Sequence, residues 1–310
     1  MVALLFPGQG AQFVGMGRDL AERFPAAARI FERADAALEV SLSRVMWSGP
    51  EAELTATHNA QPAILTHAIA VREVLGDRVP AVTMAAGHSL GEFTAYVAAG
   101  SLTFEDGVRA VRRRGELMFR AGQERPGTMA AVLGLDDEAL ERVCREASEQ
   151  AGGDCVPANF NAPGQIVISG DKPAVAAAID LAKDAGAKRA LPLNVSGAFH
   201  SPLMAVAEEG LRAHLEGVAL SDPSFPVVSN VTASPVSEAG EARDVLVRQL
   251  TSPVRWTACV RTMRDHGVTR FLELGPGNVL AGLMKRIDRA AEVTSMGSAD
   301  QVDSFEGQGD

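Results

Sequence analysis

The chain has 310 residues with 46% hydrophobic content, enough for a sizeable core, and a formal net charge of −10. The length predicts one large domain with an insertion, or two domains, and the negative charge argues against nucleic acid and anionic membrane surfaces as partners. Cys144, Cys155 and Cys259 are widely spaced and form neither a disulfide framework nor a zinc motif, so a reducing cytoplasm is the expected home.

The opening MVALLFPGQG lacks a basic region and is broken by Pro7 and Gly8, so VALLF (2–6) is expected as a first core strand rather than a signal peptide. No apolar run is long enough to span a membrane. Helical patterns follow over 17–35 and 62–76, then a strand at 82–87, a helix at 90–100 and another at 104–121. Short apolar runs alternating with amphipathic stretches predict an α/β fold with a largely parallel sheet. Residues 128–196 have a separate order, βαββαβ: strand MAAVLGL, helix DDEALERVCREASEQ, strands CVPANF and QIVISG, helix 171–187, and closing strand KRALPLNVS. That order is the ferredoxin-like unit, and it is expected as a small domain inserted into a large one made of residues 1–127 and 197–297. Beyond it come a helix at 202–217, strand FPVVSNV (225–231), helices at 241–250 and 256–266, strand TRFLEL, the turn GPGN, a helix at 279–289 and strand VTSMG. Residues 298–310 have no basic residue and few apolar ones, which predicts a disordered tail.

Gly87-His88-Ser89-Leu90-Gly91 fits G-x-S-x-G at a strand-to-helix turn. Small neighbours allow a tight turn that pushes Ser89 out at the carboxyl end of the sheet, facing the free amides of the next helix. The plainer alternative is an ordinary turn with Ser89 as N-cap. A hydroxyl nucleophile needs a base. Of the six histidines, His88 is adjacent in sequence and expected to point away, and His67, His214 and His266 are expected at the surface. His200 lies where the inserted unit returns the chain, a position that lines clefts. The loop Phe6-Pro7-Gly8-Gln9-Gly10 follows the first strand and lacks the remaining features of a dinucleotide fingerprint. It is either a plain turn or the donor of a second oxyanion amide.

Together these stretches resemble the malonyl-CoA:acyl-carrier-protein transacylases, acyltransferases of fatty acid synthesis. The resemblance rests on FPGQGAQ (6–12), QPAI (61–64), GHSLGE (87–92), RRG (113–115), NFNAPGQIVISG (159–170), GAFHSPLM (197–204), SNVTA (229–233), LTSPVRW (250–256) and ELGPGNVLAGLMKR (273–286). It implies a hydrolase-like α/β core with an inserted ferredoxin-like domain. It implies Ser89 as nucleophile, His200 as general base, and the backbone amides of Gln9 and Leu90 as oxyanion hole. Arg114 would pair with the free malonyl carboxylate, and the Gln249 backbone carbonyl would orient the histidine. Phe199 would select against α-branched acyl groups. Arg112 and Arg113 are expected to be solvated, and Glu92 to be a helix-dipole residue without a site role. The implied reaction is ping-pong transfer from malonyl-CoA to the phosphopantetheine thiol of acyl carrier protein, by a monomer, with no metal or other cofactor. A trans-acting polyketide acyltransferase, an inactive carrier-binding module and a simple esterase are the alternatives.

Overall fold

The computed structural model describes residues 1–307. β1 (Val2–Phe6) opens the chain. Instead of one helix over 17–35 there are two, α1 (Arg18–Arg23) and α2 (Pro25–Leu38). Pro25 takes the first turn of α2 and holds Phe24 extended, at φ −121° and ψ 111°. Two short helices, α3 (Leu42–Ser48) and α4 (Glu51–Thr55), fall outside the expected elements. Then come α5 (Thr57–Leu75), β2 (Val82–Gly87), α6 (Leu90–Ala98) and α7 (Phe104–Glu124). The compact unit that follows is β3 (Gly127–Leu133), α8 (Asp137–Ala151), β4 (Cys155–Ala162), β5 (Gln165–Asp171), α9 (Lys172–Asp184) and β6 (Arg189–Pro192). The remainder is α10 (Ala205–Glu216), β7 (Val227–Val228), β8 (Pro235–Val236), α11 (Ala239–Arg248), α12 (Trp256–Asp265), β9 (Arg270–Leu274), α13 (Val279–Ile287), β10 (Glu292–Met296) and α14 (Ala299–Asp303).

The larger sheet has the order β10-β9-β1-β2-β7-β8 and is parallel except for the β7–β8 pair. Both of its faces are covered. Along β1, Val2, Leu4 and Phe6 enter one apolar core while Ala3 and Leu5 enter the other, which explains why VALLF is continuously apolar rather than alternating. The smaller sheet, β4-β5-β3-β6, is antiparallel throughout. Its strands appear across the sheet as second, third, first and fourth, the ferredoxin-like arrangement. One face packs on α8 and α9 through Val132, Leu140, Ile168 and Val175. From the other face, Met129, Val167 and Ala158 join the core of the larger body. A further tie runs from Phe160 N–H to the Val254 carbonyl (2.9 Å) and from Val254 N–H to the Ala158 carbonyl (2.8 Å).

Three expectations are corrected. The strand expected over 225–231 pairs only at Val227–Val228, because the Asn230 N–H donates to the Glu92 carboxylate instead of to a ladder. The tail is ordered over much of its length: Ser298 caps α14 with a reciprocal capping box, Val302 is fully buried, and Arg23 pairs with Asp300 and Asp303. Residues 308–310 of that tail lie outside the described residues. His67, expected at the surface, is fully buried on α5, and neither ring nitrogen has a hydrogen-bond partner among the described residues.

Candidate active site

Ser89 sits between β2 and α6 with backbone φ 51° and ψ −110°, a left-handed conformation that non-glycine residues avoid. Gly87 and Gly91 make the turn possible. A Cβ on Gly87 would overlap the Gly91 carbonyl, and one on Gly91 would overlap the Phe6 carbonyl. Asn230 clamps the turn from the loop after β7. Its Oδ1 accepts the Ser89 N–H (2.8 Å) and its Nδ2 donates to the Gly87 carbonyl (2.8 Å).

Three expected side chains converge here. Ser89 Oγ donates to His200 Nε2 at 2.8 Å, and Arg114 Nη2 donates to the same Oγ at 3.1 Å. His200, also left-handed at φ 58°, turns Nδ1 toward the Gln249 carbonyl (2.8 Å) and the Ser252 carbonyl (3.2 Å). Carbonyls only accept, so Nδ1 carries the proton and Nε2 presents its lone pair to Ser89. Among the described residues no carboxylate hydrogen-bonds this ring. Burial and the neighbouring Arg114 charge lower the His200 pKa to about 3, so its imidazole is neutral. The pair can therefore take a proton from the serine hydroxyl and return it to a leaving group.

Arg114 is 1% exposed. Burial lowers its pKa to about 10, opposed by the Glu92 charge. It stays a cation at neutral pH, with Nη1 on Gln61 Oε1 (2.8 Å), Nη2 also on Gln249 Oε1 (2.8 Å), and Nε unpartnered among the described residues. Arg112 departs from the expected solvated face. It donates to Asn59 Oδ1 (2.5 Å), the His58 carbonyl (3.2 Å) and Glu116 (2.9 Å), whereas Arg113 is half exposed.

Ser89, His200 and Arg114 line a cavity of about 380 Å3. Gln9, Leu90 and Arg114 contribute from the larger body, and Met129, Asn159 and Val167 from the smaller sheet. Phe199 also faces it, beside His200. Among the described residues the backbone N–H groups of Gln9 and Leu90 donate to no protein acceptor, leaving both available to a ligand. The loop bearing Gln9 is braced by the GPGN turn: Gly275 has φ 146°, and a Cβ there would strike the Pro7 ring. His88 faces the hairpin, with Nε2 on Asn161 Oδ1 at 2.7 Å.

Glu92 is not merely a dipole partner. It is fully buried, its Oε2 accepts from Gln249 Nε2 (2.6 Å) and Asn230 N–H (3.1 Å), and burial raises its pKa to about 7 against the pull of those bonds and of Arg114. Gln61 and Asn230 also belong to the site, through Arg114 and the Ser89 N–H respectively. Thr57 and Gln61, four apart on one face of α5, carry a readable signal, since that spacing lets the two side chains hydrogen-bond to each other (3.0 Å). A single asparagine in an apolar run offers no such signal.

Residues 3–303 match the acyl transferase domain family. The malonyl CoA-acyl carrier protein transacylase of Bacillus subtilis (strain 168) is 47% identical over 303 residues, covering 97% of this chain and 95% of the relative. The protein of the same name from Haemophilus influenzae is 45% identical over 309 residues, covering 98% of both. Among solved structures, an acyl carrier protein S-malonyltransferase from Vibrio cholerae superposes with TM-score 0.94 at 41% identity, covering 98% of this chain and 99% of that one. A malonyl-transacylase solved in complex with a type II polyketide synthase acyl carrier protein superposes equally well, with TM-score 0.94, 43% identity and 98% of each chain covered.

Proposed function

The chain belongs to the acyl transferase family, and from that premise we propose that it moves the malonyl group of malonyl-CoA to the phosphopantetheine thiol of an acyl carrier protein through a malonyl ester on Ser89. Ser89 Oγ attacks the thioester carbonyl as its proton passes to His200 Nε2. The amides of Gln9 and Leu90 receive the developing oxyanion. The C–S bond breaks, and the departing thiolate takes the proton from His200 to leave as coenzyme A. The carrier thiol then gives its proton to His200 and attacks the ester, and Ser89 Oγ recovers the proton as it leaves. The chemistry so written needs no metal or redox group.

The observation that carries this reading is the Arg114 guanidinium, buried and 3.1 Å from Ser89 Oγ. A malonyl group esterified at that oxygen ends in a carboxylate only a few ångströms away, within reach of a planar cation that offers paired donors. A simple esterase would have no use for a buried cation there. An inactive binding module would have no reason to keep Ser89, His200 and the Gln249 carbonyl in register. Phe199 lines the cavity beside His200, where its ring would limit the room for an α-methyl branch. The exposed pairs Lys188-Arg189, on and before the edge strand β6, and Lys285-Arg286, on α13, would serve an acidic carrier. We assign catalysis to residues 1–127 and 197–297 and the roof of the cavity to residues 128–196. Cytoplasmic fatty acid synthesis is the proposed setting, supported by three free, buried cysteines and the names of the curated relatives, and a monomer is the proposed form. Among the described residues no helix is long and apolar enough to cross a membrane. The relative paired with a polyketide carrier supports that second pathway on the same machinery. Intact-protein mass spectrometry after mixing with malonyl-CoA tests the reading. One malonyl adduct is expected on the native chain and none on Ser89→Ala; an unmodified native chain contradicts it.

A further inference from the structure

Beneath Ser89 runs a hydrogen-bonded chain that the transfer written above does not use. Arg114 Nη2 donates to Gln249 Oε1 (2.8 Å), and Gln249 Nε2 donates onward to Glu92 Oε2 (2.6 Å) and to the Ser89 carbonyl (3.0 Å). Glu92 and Gln249 are fully buried and Arg114 nearly so. The Gln249 amide has one accepting end and one donating end, while a guanidinium only donates. With an acceptor at Glu92, only one orientation satisfies the row: Oε1 toward Arg114 and Nε2 toward Glu92. The reversed amide would set donor against donor at one end and acceptor against acceptor at the other, between fully buried side chains. The brace on the other side of the guanidinium is different. Gln61 Oε1 accepts from Nη1, but its Nε2 rests on the neutral Thr57 hydroxyl (3.0 Å), and among the described residues no carboxylate keys it.

We propose that Glu92 is a positioning residue for acyl-group choice: through the Gln249 amide it holds the Arg114 guanidinium where the free carboxylate of the bound acyl group arrives. The proposal rests on the malonyl reading above. It separates two roles of Gln249. The backbone carbonyl serves His200 and hence every acyl group, while the side chain serves Arg114 and hence only acyl groups ending in a carboxylate. Glu92 does not touch the acyl group and acts through its neighbour.

The test compares acylation of Ser89 by malonyl-CoA and by acetyl-CoA, followed by quenching and intact mass. Glu92→Leu removes the acceptor and keeps apolar bulk. The ratio of malonyl to acetyl acylation should fall about tenfold, the size of one lost hydrogen bond to a charged group. The fall should sit mainly in KM for malonyl-CoA. A purely structural role would lower both substrates alike, and an unchanged ratio overturns the proposal. If Glu92→Leu does not fold, Gln249→Met decides, since it keeps the backbone carbonyl and deletes the amide; it should show the same fall in ratio, and an unchanged ratio again overturns the proposal. A native chain that takes no malonyl label would sink the activity and this inference together, whereas a labelled native chain with unchanged variant ratios overturns the inference alone.

Discussion

Ser89 is held in a conformation it would not choose, and Asn230 does the holding. Its side chain satisfies the Ser89 N–H and the Gly87 carbonyl at once. Asn230→Ala orphans the buried Gly87 carbonyl and the partly buried Ser89 N–H and should lower stability by about 2–4 kcal/mol. It should also lower kcat for every acyl group, as followed by chemical denaturation and acyl-transfer assay; full activity would mean that the turn keeps its shape unaided. Arg114→Ala separates differently. It should abolish most malonyl transfer and keep or raise acetyl transfer, since only malonyl loses a charged partner; equal losses would remove Arg114 from substrate choice. At this scale the sequence was uneven in what it revealed. Ser89 was legible from its two glycines. Arg114 could not be told from Arg112 and Arg113 by residue type, because burial separates them and burial depends on which face of α7 meets α5. Glu92 is not legible as a site residue: a carboxylate in the first turn of a helix has a sufficient cause in the dipole, and its contacts with Gln249 and Asn230 come from far along the chain.

The turn from β2 into α6 works because α6 can press directly on the end of β1. Gly91 lies against the Phe6 carbonyl, and the His88 N–H donates to that same oxygen at 2.9 Å. Gly91→Ala therefore pushes the Pro7–Gly10 loop away from Ser89. The expected result is a loss of acylation rate well beyond any loss of stability, because the displaced loop carries the Gln9 amide; parallel losses would show that the residue only packs. Glu273 buttresses the neighbouring edge of the sheet. From β9 it accepts the Leu280 and Ala281 N–H groups (2.8 and 3.0 Å) at the start of α13 and a hydroxyl from Ser295 (2.8 Å). The elements themselves were largely legible, because a two-face-buried strand and an amphipathic helix have different periods. The misses have local causes. Pro25 splits a pattern that periodicity reads as continuous. The helices α3 and α4 are too short to show a period, and α14 has too few apolar residues to stand out although its capping box was present in Ser298 and Gln301.

For the molecule as a whole, buried titratable groups set the dependence of stability on pH. Burial lowers the His67 pKa to about 4 and, with Arg114, that of His200 to about 3. Below pH 6.5 the unfolded chain takes up protons at these sites and the folded chain does not, so stability is lost as pH falls from 6.5 toward 4 and below. Glu92 has the opposite sign: its pKa is raised to about 7, so its contribution is present below pH 4.5 and lost as pH rises through 7. His67 lies outside the site and isolates one of these contributions. His67→Leu should flatten the fall in unfolding free energy between pH 6.5 and 4 by up to about 1.4 kcal/mol per pH unit, as measured by urea unfolding at several pH values. An unchanged slope would contradict neutral burial of this ring. With a net charge of −10, the acidic carrier proposed as partner would have to find its docking charges in local pairs rather than in the overall field. On the proposed path one acyl group travels from coenzyme A to Ser89 to the carrier thiol. A chase measures that path directly: load the protein with labelled malonyl-CoA, remove free thioester, add acyl carrier protein bearing its phosphopantetheine arm, and follow the label. Label should leave Ser89 and appear on the carrier in equal amount; label that stays on the enzyme, or that leaves as free malonate without reaching the carrier, would rule that path out.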